Sequence, residues 1–357
     1  MKIGLVIYGS LDTLSGGYLY DRKLVEYLRA QGDTVEIISL PWRNYAAHLM
    51  DNFSFRLPSG LDVLIQDELN HPSLVFANHS KPYPVVSLVH HLRCSEQRPA
   101  WQNWFYRLVE KRYLQGVDGF IFNSQTTRGV VEKLISNEKK GQEKPFLVAY
   151  PPTDRFGVGA TEAEIESRSQ AAGPLRILFL GNVIERKGLH TLLEALRSLK
   201  TEHWSLDVIG SLTSDPAYAV MVQRYAVERC PAGTVHFHGA LDEASLIEKL
   251  KAAHLLAVPS SYEGFGIVYL EGMGFGLPAI GTTAGAAPEI IEDGRTGYLV
   301  DPEDSRALAA KLLTLAANRD MLAGLSLNAL ARYRQQPAWE QTCANIRAFL
   351  QKMAAGA

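Results

Sequence analysis

The sequence of 357 residues holds only three cysteines, Cys94, Cys230 and Cys343, odd in number and far apart. They supply neither a disulfide framework nor the paired spacing of a zinc site, which points to a reducing compartment. No apolar run approaches the roughly 18 residues that a membrane span requires. The opening MKIGLVIYGS has no small-residue cleavage site and reads as a first strand rather than a signal peptide. Charge bias is lacking too: a formal net charge of −2 gives no reason to expect nucleic acid as a partner. Asp-x-Asp, a common means of holding a divalent ion on a diphosphate, is absent. No His, Cys or carboxylate group has ligand spacing along the chain, so no metal is expected. These absences leave a cytoplasmic protein, attached at most to the inner face of a membrane.

What is present is a regular alternation. With 46% hydrophobic and 21% charged residues the chain is an ordinary globular one, and its length calls for two domains. In the first half, apolar runs at Ile3–Tyr8, Val35–Leu40, Val63–Gln66, Val85–Val89, Gly119–Phe122 and Phe146–Tyr150 read as strands. Helical patterns lie at Tyr18–Gln31, Trp101–Leu114 and Thr126–Ser136. A polar stretch from Thr161 to Gly173 reads as a linker with helical tendency. The same grammar then restarts. Strands are expected at Arg176–Leu180, Leu206–Ile209, Val235–His238, Leu255–Val258, Ala279–Ile280 and Tyr298–Val300. Helices are expected at Leu189–Leu199, Ala219–Arg229, Glu243–Ala253, Ala286–Glu292, Ser305–Ala316 and Arg319–Tyr333, with a last one at Pro337–Met353. This is an α/β chain with two doubly wound parallel sheets, each covered by helices on both faces. Ligands of such sheets lie at the carboxyl ends of the strands, which puts the expected site in a cleft between two facing domains.

The chemistry is concentrated in Ser260–Gly297. A strand ends at Pro259, a glycine-bearing turn follows, and a helix runs from about Gly266 to Gly274. Backbone N–H groups of Phe265, Gly266, Ile267 and Val268 at that helix start suit a phosphate. Glu263 and Glu271 flank them and suit sugar hydroxyls. The two glutamates could instead be a glycosidase pair, but eight residues of helix rise about 12 Å. A retaining pair needs about 5.5 Å and an inverting pair at most about 9.5 Å. Arg186 and Lys187 follow the first strand of the second half. They are either solvated charge or a clamp on a diphosphate leaving group. Gly16-Gly17 opens the first helix without spelling G-x-G-x-x-G, leaving a plain turn or a close backbone approach to a ligand. His90 and His91 end an apolar strand, one expected to face the site and the other the packing. Arg98–Tyr113 mixes Trp101, Trp104, Phe105 and Tyr106 with Arg107, Lys111 and Arg112. It is either a core-facing helix with a charged outer face or an interfacial helix that makes peripheral membrane contact.

Together these residues resemble a family 4 retaining glycosyltransferase of the GT-B fold, over almost the whole chain. The most specific part is the E-x7-E signature, Glu263-GFGIVYL-Glu271. The resemblance implies two Rossmann-like domains, 1–160 on the acceptor side and 161–335 binding the nucleotide sugar, with 336–357 a helix crossing back to the first. It implies that Glu263 contacts the donor sugar, Glu271 the ribose, and Phe265 to Val268 the diphosphate. Lys187-Gly188, Gly16-Gly17 and His90 match further family positions, and Gly210 joins the donor-binding set. Three places depart from the pattern. Asn182 stands where an arginine is usual, with Arg186 as the candidate substitute. His91 stands where an aspartate is common, and Pro151-Pro152-Thr153-Asp154 replaces Asn-Gly-x-Asp. The implied reaction is metal-independent front-face transfer of a hexosyl group from a UDP- or GDP-linked sugar to a hydroxyl acceptor, with no cofactor. An epimerase, another GT-B enzyme and a non-catalytic sugar-nucleotide-binding protein are the alternatives.

Overall fold

The computed structural model describes residues 1–356 apart from 14, 80, 97, 137–143, 153, 157–158 and 200–203. The chain divides into two units, Met1–Pro152 with Pro337–Ala357, and Thr153–Gln336.

In the first unit β1 (Lys2–Tyr8), α1 (Gly16–Ala30), β2 (Thr34–Leu40), α2 (Tyr45–Asp51), β3 (Val63–Asp67) and α3 (His71–Leu74) come first. They are followed by β4 (Val85–Val89), α4 (Ala100–Gly116), β5 (Gly119–Phe122), α5 (Gln125–Ile135) and β6 (Phe146–Val148). The six strands pair in parallel in the order β2-β1-β3-β4-β5-β6. Side chains alternate across the pleat, so β1 feeds two cores. Ile3, Leu5 and Ile7 pack with Leu24 and Leu28 of α1. Val6 and Tyr8 pack on the opposite face with Leu114 of α4 and Val131 of α5. Burial of both faces is why β1, β3, β4 and β5 read as continuous apolar runs rather than alternating ones. The chain's last helix, α13 (Trp339–Ala355), returns to this unit. Its Ile346 and Leu350 enter the α1 core, and the Arg347 guanidinium Nε donates to Asp33 at 2.6 Å. The crossing-back expected of the C-terminal segment is therefore present.

The second unit comprises α6 (Glu162–Gln170), β7 (Leu175–Leu180), α7 (Leu189–Arg197), β8 (Trp204–Ile209), α8 (Pro216–Arg229), β9 (Val235–Gly239) and α9 (Glu243–Ala252). Then come β10 (Leu255–Ala257), α10 (Ile267–Gly274), β11 (Ala279–Thr282), β12 (Gly297–Val300), α11 (Ser305–Ala317) and α12 (Arg319–Arg334). Its strands are also parallel, in the order β12-β11-β10-β7-β8-β9. Counted within the unit this is 6-5-4-1-2-3, the dinucleotide-binding order, whereas the first unit has the flavodoxin-like 2-1-3-4-5-6. The two halves share a grammar but not a topology.

Two expectations need correction. The helical tendency of residues 161–173 is realised in α6, Glu162–Gln170, which is packed into the unit rather than a linker. Thr161 and Glu164 close a reciprocal capping box, and Ile165 is buried against Leu330 of α12. The helix expected over Ala286–Glu292 is a single turn, Ala287–Glu289. Its apolar residues are buried, but the Glu292 N–H turns to the Thr296 hydroxyl at 2.9 Å and leads the chain away toward β12.

Candidate functional site

In the second unit the strand order reverses between β7 and β10. The connections leaving these neighbours diverge, opening a crevice at the carboxyl edge of the sheet. The expected donor-side residues gather there. Lys187 ends the single turn Glu185–Lys187 after β7, and Glu263 lies in the turn after β10. The Lys187 ammonium donates to Glu263 Oε1, and the Ser260 hydroxyl donates to the same oxygen at 2.6 Å. Arg186 places Nη1 3.9 Å from Glu263 Oε2 while donating to the Tyr262 carbonyl at 2.7 Å. Glu263 is only 5% exposed. Burial pushes its carboxyl up, but Lys187, Arg186 and the Ser260 bond outweigh that and hold it below the usual value. Burial lowers the Lys187 ammonium, with Glu263 opposing. The result is a buried ionised pair at the crevice.

Helix ends at this point differ from those elsewhere in the unit. Asp215, Asp242, Asp304 and Asn318 side chains cap α8, α9, α11 and α12. By contrast α7 and α10, the two helices that follow β7 and β10, start at left-handed Gly188 and Gly266 with no capping side chain. Gly266 has φ 95°, and a Cβ there would sit 2.6 Å from the Tyr269 ring. Only glycine allows the turn. The first backbone bond of α10 runs from the Tyr269 N–H to the Gly266 carbonyl at 2.9 Å. The N–H groups of Ile267 and Val268 therefore point past the helix start, at the positive end of its dipole. Phe265 is buried beside them.

Glu271 lies on α10 and is 5% exposed. Arg155 Nη1 donates to its Oε1 at 2.9 Å. Burial raises this carboxyl and Arg155 offsets only part of the effect. The two glutamates thus keep different partners. Because α10 starts at Ile267, only part of the spacing from Glu263 to Glu271 is helical, and the length argument drawn from eight helical residues does not apply in that form. Arg155 escapes a sequence reading because nothing around it is patterned; its guanidinium lies over Phe156, 4.6 Å from the ring centre. Asn182 and Gly210 sit side by side at the ends of β7 and β8, where the Gly181 N–H donates to the Ile209 carbonyl at 2.9 Å.

The first unit has its own reversal, between β1 and β3. His90 follows β4, with Nε2 3.3 Å from Asp21 Oδ1 and its ring edge-on to Tyr20. Gly17 backs onto this ring: a Cβ there would lie 3.3 Å from His90 Cδ2. Gly16, the first residue of α1, follows Ser15, whose hydroxyl accepts from the Tyr18 N–H. His91 turns away to Glu96 at 3.1 Å. Burial lowers the His90 imidazole pKa, but Asp21, Asp67 and Glu68 outweigh it and raise the group.

Although no ligand spacing is visible along the chain, among the described residues the fold assembles two groups whose potential ligand atoms lie within 4.8 Å of one another: Asp21, Asp67 and His90, and Glu68, His71 and Glu110. Burial and the neighbouring Asp21 push Asp67 up to about 7, and burial beside Glu68 pushes Glu110 up to about 7. Protons on these carboxyls relieve the like-charge repulsion. His71 has both ring nitrogens engaged, Nδ1 by the Glu68 carbonyl at 3.0 Å and Nε2 by the Tyr45 hydroxyl at 2.9 Å. Burial takes its imidazole down to about 4, which keeps it neutral.

Two parallel α/β units, the second with an uncapped helix start and a buried Lys–Glu pair at its switch point, give the chain a GT-B fold. Residues 161–332, which lie in the second unit, match the family described as glycosyl transferases group 1. It is 30% identical over 158 residues to a glycogen synthase of Mycobacterium tuberculosis, covering 44% of this chain and 37% of that protein. The chain thus spans little more than a third of that relative. It is 27% identical over 274 residues to the D-rhamnosyltransferase WbpZ of Pseudomonas aeruginosa, covering 72% of this chain and 68% of the relative. The fold is shared with Anabaena HepE, solved in complex with UDP-glucose. There the TM-score is 0.76 at 18% identity, over 99% of this chain and 100% of that one.

Proposed function

We propose that the protein is a retaining hexosyltransferase that takes its sugar from a UDP- or GDP-linked donor and passes it to a hydroxyl acceptor. The observation that carries this is the switch point between β7 and β10. There an uncapped helix start, two cations and a buried ionised glutamate stand together. In this reading the N–H groups from Phe265 to Val268 bind the diphosphate, and Asn182 and Gly210 line the same edge. Glu271 takes the ribose hydroxyls. Glu263, kept ionised by Lys187 and Arg186, accepts hydrogen bonds from the donor sugar. By the family resemblance Gly16, Gly17 and His90 are further candidate contacts for the donor.

Transfer breaks the bond from the anomeric carbon to the diphosphate oxygen and forms one to the acceptor oxygen on the same face. The acceptor's proton passes to the departing diphosphate. Lys187 and Arg186 offset the charge that develops on that leaving group, which lets the reaction proceed without a metal. His90, with its pKa raised by Asp21 and its neighbours, orients the sugar or offsets charge near its ring. The acceptor enters as a hydroxyl of a glycan, a lipid or a small molecule, with 98–113 as the candidate contact with a membrane. Support for sugar transfer comes from the relatives, a glycogen synthase and a rhamnosyltransferase by name.

Calorimetry against a panel of nucleotide sugars, followed by mass spectrometry of products with candidate acceptors, tests the reading. A donor that binds and yields a glycosylated acceptor plus free nucleoside diphosphate is expected. Isomerisation of the donor without any acceptor would indicate an epimerase instead, and a donor bound but never turned over would indicate a binding protein.

A further inference from the structure

The outward face of α4 is the least ordinary surface of the first unit. Trp101, Trp104, Phe105 and Leu108 are 70, 64, 39 and 48% exposed. Their spacing of i, i+3, i+4 and i+7 makes one stripe along the helix. The buried residues of α4 are Glu110, Tyr113 and Leu114, so the tryptophans do not belong to the core. Glu110 is also the helix's one carboxylate. All exposed charge on α4, with Arg107 and Arg112 open to solvent and Lys111 partly so, is therefore positive, in a chain whose net charge is −2.

The stripe continues onto the neighbouring elements. Phe105 lies 6.0 Å from the Tyr45 ring of α2. Phe53 and Phe76, 67 and 52% exposed, meet edge-to-face with ring centres 6.2 Å apart. Phe76 abuts His79, and Arg112 bonds His79 at 3.2 Å. Apolar patches of this breadth on a monomer mark an interaction site. Large aromatics mixed with exposed cations on the face of a helix match the interface of an anionic bilayer, where indole rings sit at headgroup level.

We propose that the α2–α4 face of the first unit docks on an anionic lipid surface, with Trp101 and Trp104 inserted and Arg107, Lys111 and Arg112 on the headgroups. The α4 helix starts ten residues after His90, following the carboxyl end of β4. A lipid-borne hydroxyl would thus arrive at the edge where His90 lies. That last consequence rests on the sugar-transfer reading; lipid binding itself does not.

The test is co-sedimentation of the full chain with vesicles of phosphatidylcholine alone or mixed with phosphatidylglycerol, at low and high salt. Donor calorimetry is run on the same preparation, so that loss of lipid binding and loss of donor binding are read separately. Binding to the mixed vesicles, weakened by salt, is expected, together with quenching of tryptophan emission by brominated lipid. Trp101→Ala with Trp104→Ala should weaken it by roughly tenfold or more. Neutralising Arg107, Lys111 and Arg112 should cost about fivefold for each cation. The pair Phe53→Ser and Phe76→Ser, on the same face outside α4, should also weaken it. The proposal fails if wild-type protein ignores anionic vesicles or if folded variants bind as well as wild type. It fails equally if the tryptophan substitutions only abolish self-association in sedimentation, which would make a second copy of the chain the occupant.

Discussion

Truncating Lys187 to Ala removes the partner that keeps Glu263 ionised inside the protein. The glutamate would remain 5% exposed with the Ser260 hydroxyl on Oε1 and Arg186 at 3.9 Å from Oε2. Breaking a buried ion pair by deleting one side costs about 3–5 kcal/mol, because the other charge is left uncompensated. Arg186 can close some of its gap, which favours the lower end, about 3 kcal/mol. For a unit of this size each kcal/mol moves the melting midpoint by about 2–4 °C, so a fall of about 6–12 °C is expected. Glu263→Gln in the same chain removes the orphaned charge and should restore most of the loss, giving a large coupling energy in the double-mutant cycle.

The sign with pH follows from the same pair. In the wild type the lowered Glu263 carboxyl adds stability above its unfolded value and loses it as pH falls through the folded value. Without Lys187, burial prevails and raises the carboxyl, so acid should relieve the variant and narrow its deficit. Calorimetric melting of both single variants and the double variant, at neutral pH and in acid, is the assay. Melting of Lys187→Ala at the wild-type temperature, or no recovery on adding Glu263→Gln, would refute the reasoning. In kinetics Lys187→Ala should mainly lower kcat, and unchanged turnover would remove the leaving-group role.

Glu271→Ala should raise the donor KM and lower kcat/KM by roughly tenfold or more, the value of a hydrogen bond to a charged group; calorimetry should show the same loss in donor affinity. Gly266→Ala meets both a φ of 95° and the Tyr269 ring. It should cost about 1–3 kcal/mol and weaken nucleoside diphosphate binding, seen by melting and titration. Asp67, with its carboxyl pushed up to about 7, holds its proton longer when folded, so its contribution is greatest in acid and is lost as pH rises toward that value. Asp67→Asn should flatten this fall, which urea denaturation across the range would show.

The β-α alternation and the donor signature are legible along the chain because each depends on neighbours in sequence: apolar runs, turn glycines, a glutamate spacing. Strand order is not. That β7 lies between β8 and β10, and so brings Lys187 to Glu263 across 76 residues, follows from long-range pairing. Asp21 and His90 meet across 69 residues for the same reason, which is why neither buried acidic group is visible in sequence. Arg155 is a lone cation in an irregular segment, with no periodicity to mark it. Apolar spacing predicts a helix over 286–292 where only the turn Ala287–Glu289 forms, because spacing does not show that the Glu292 N–H goes to a threonine side chain. On α4 the aromatic stripe is visible in sequence, yet period alone does not say which face is solvent.

The most direct measurement is a crystal structure with an intact sugar nucleotide. The account predicts the diphosphate at the start of α10 near Lys187, the ribose at Glu271 and the sugar at Glu263. A ligand bound elsewhere, with both glutamates still closed on Lys187 and Arg155, would contradict it.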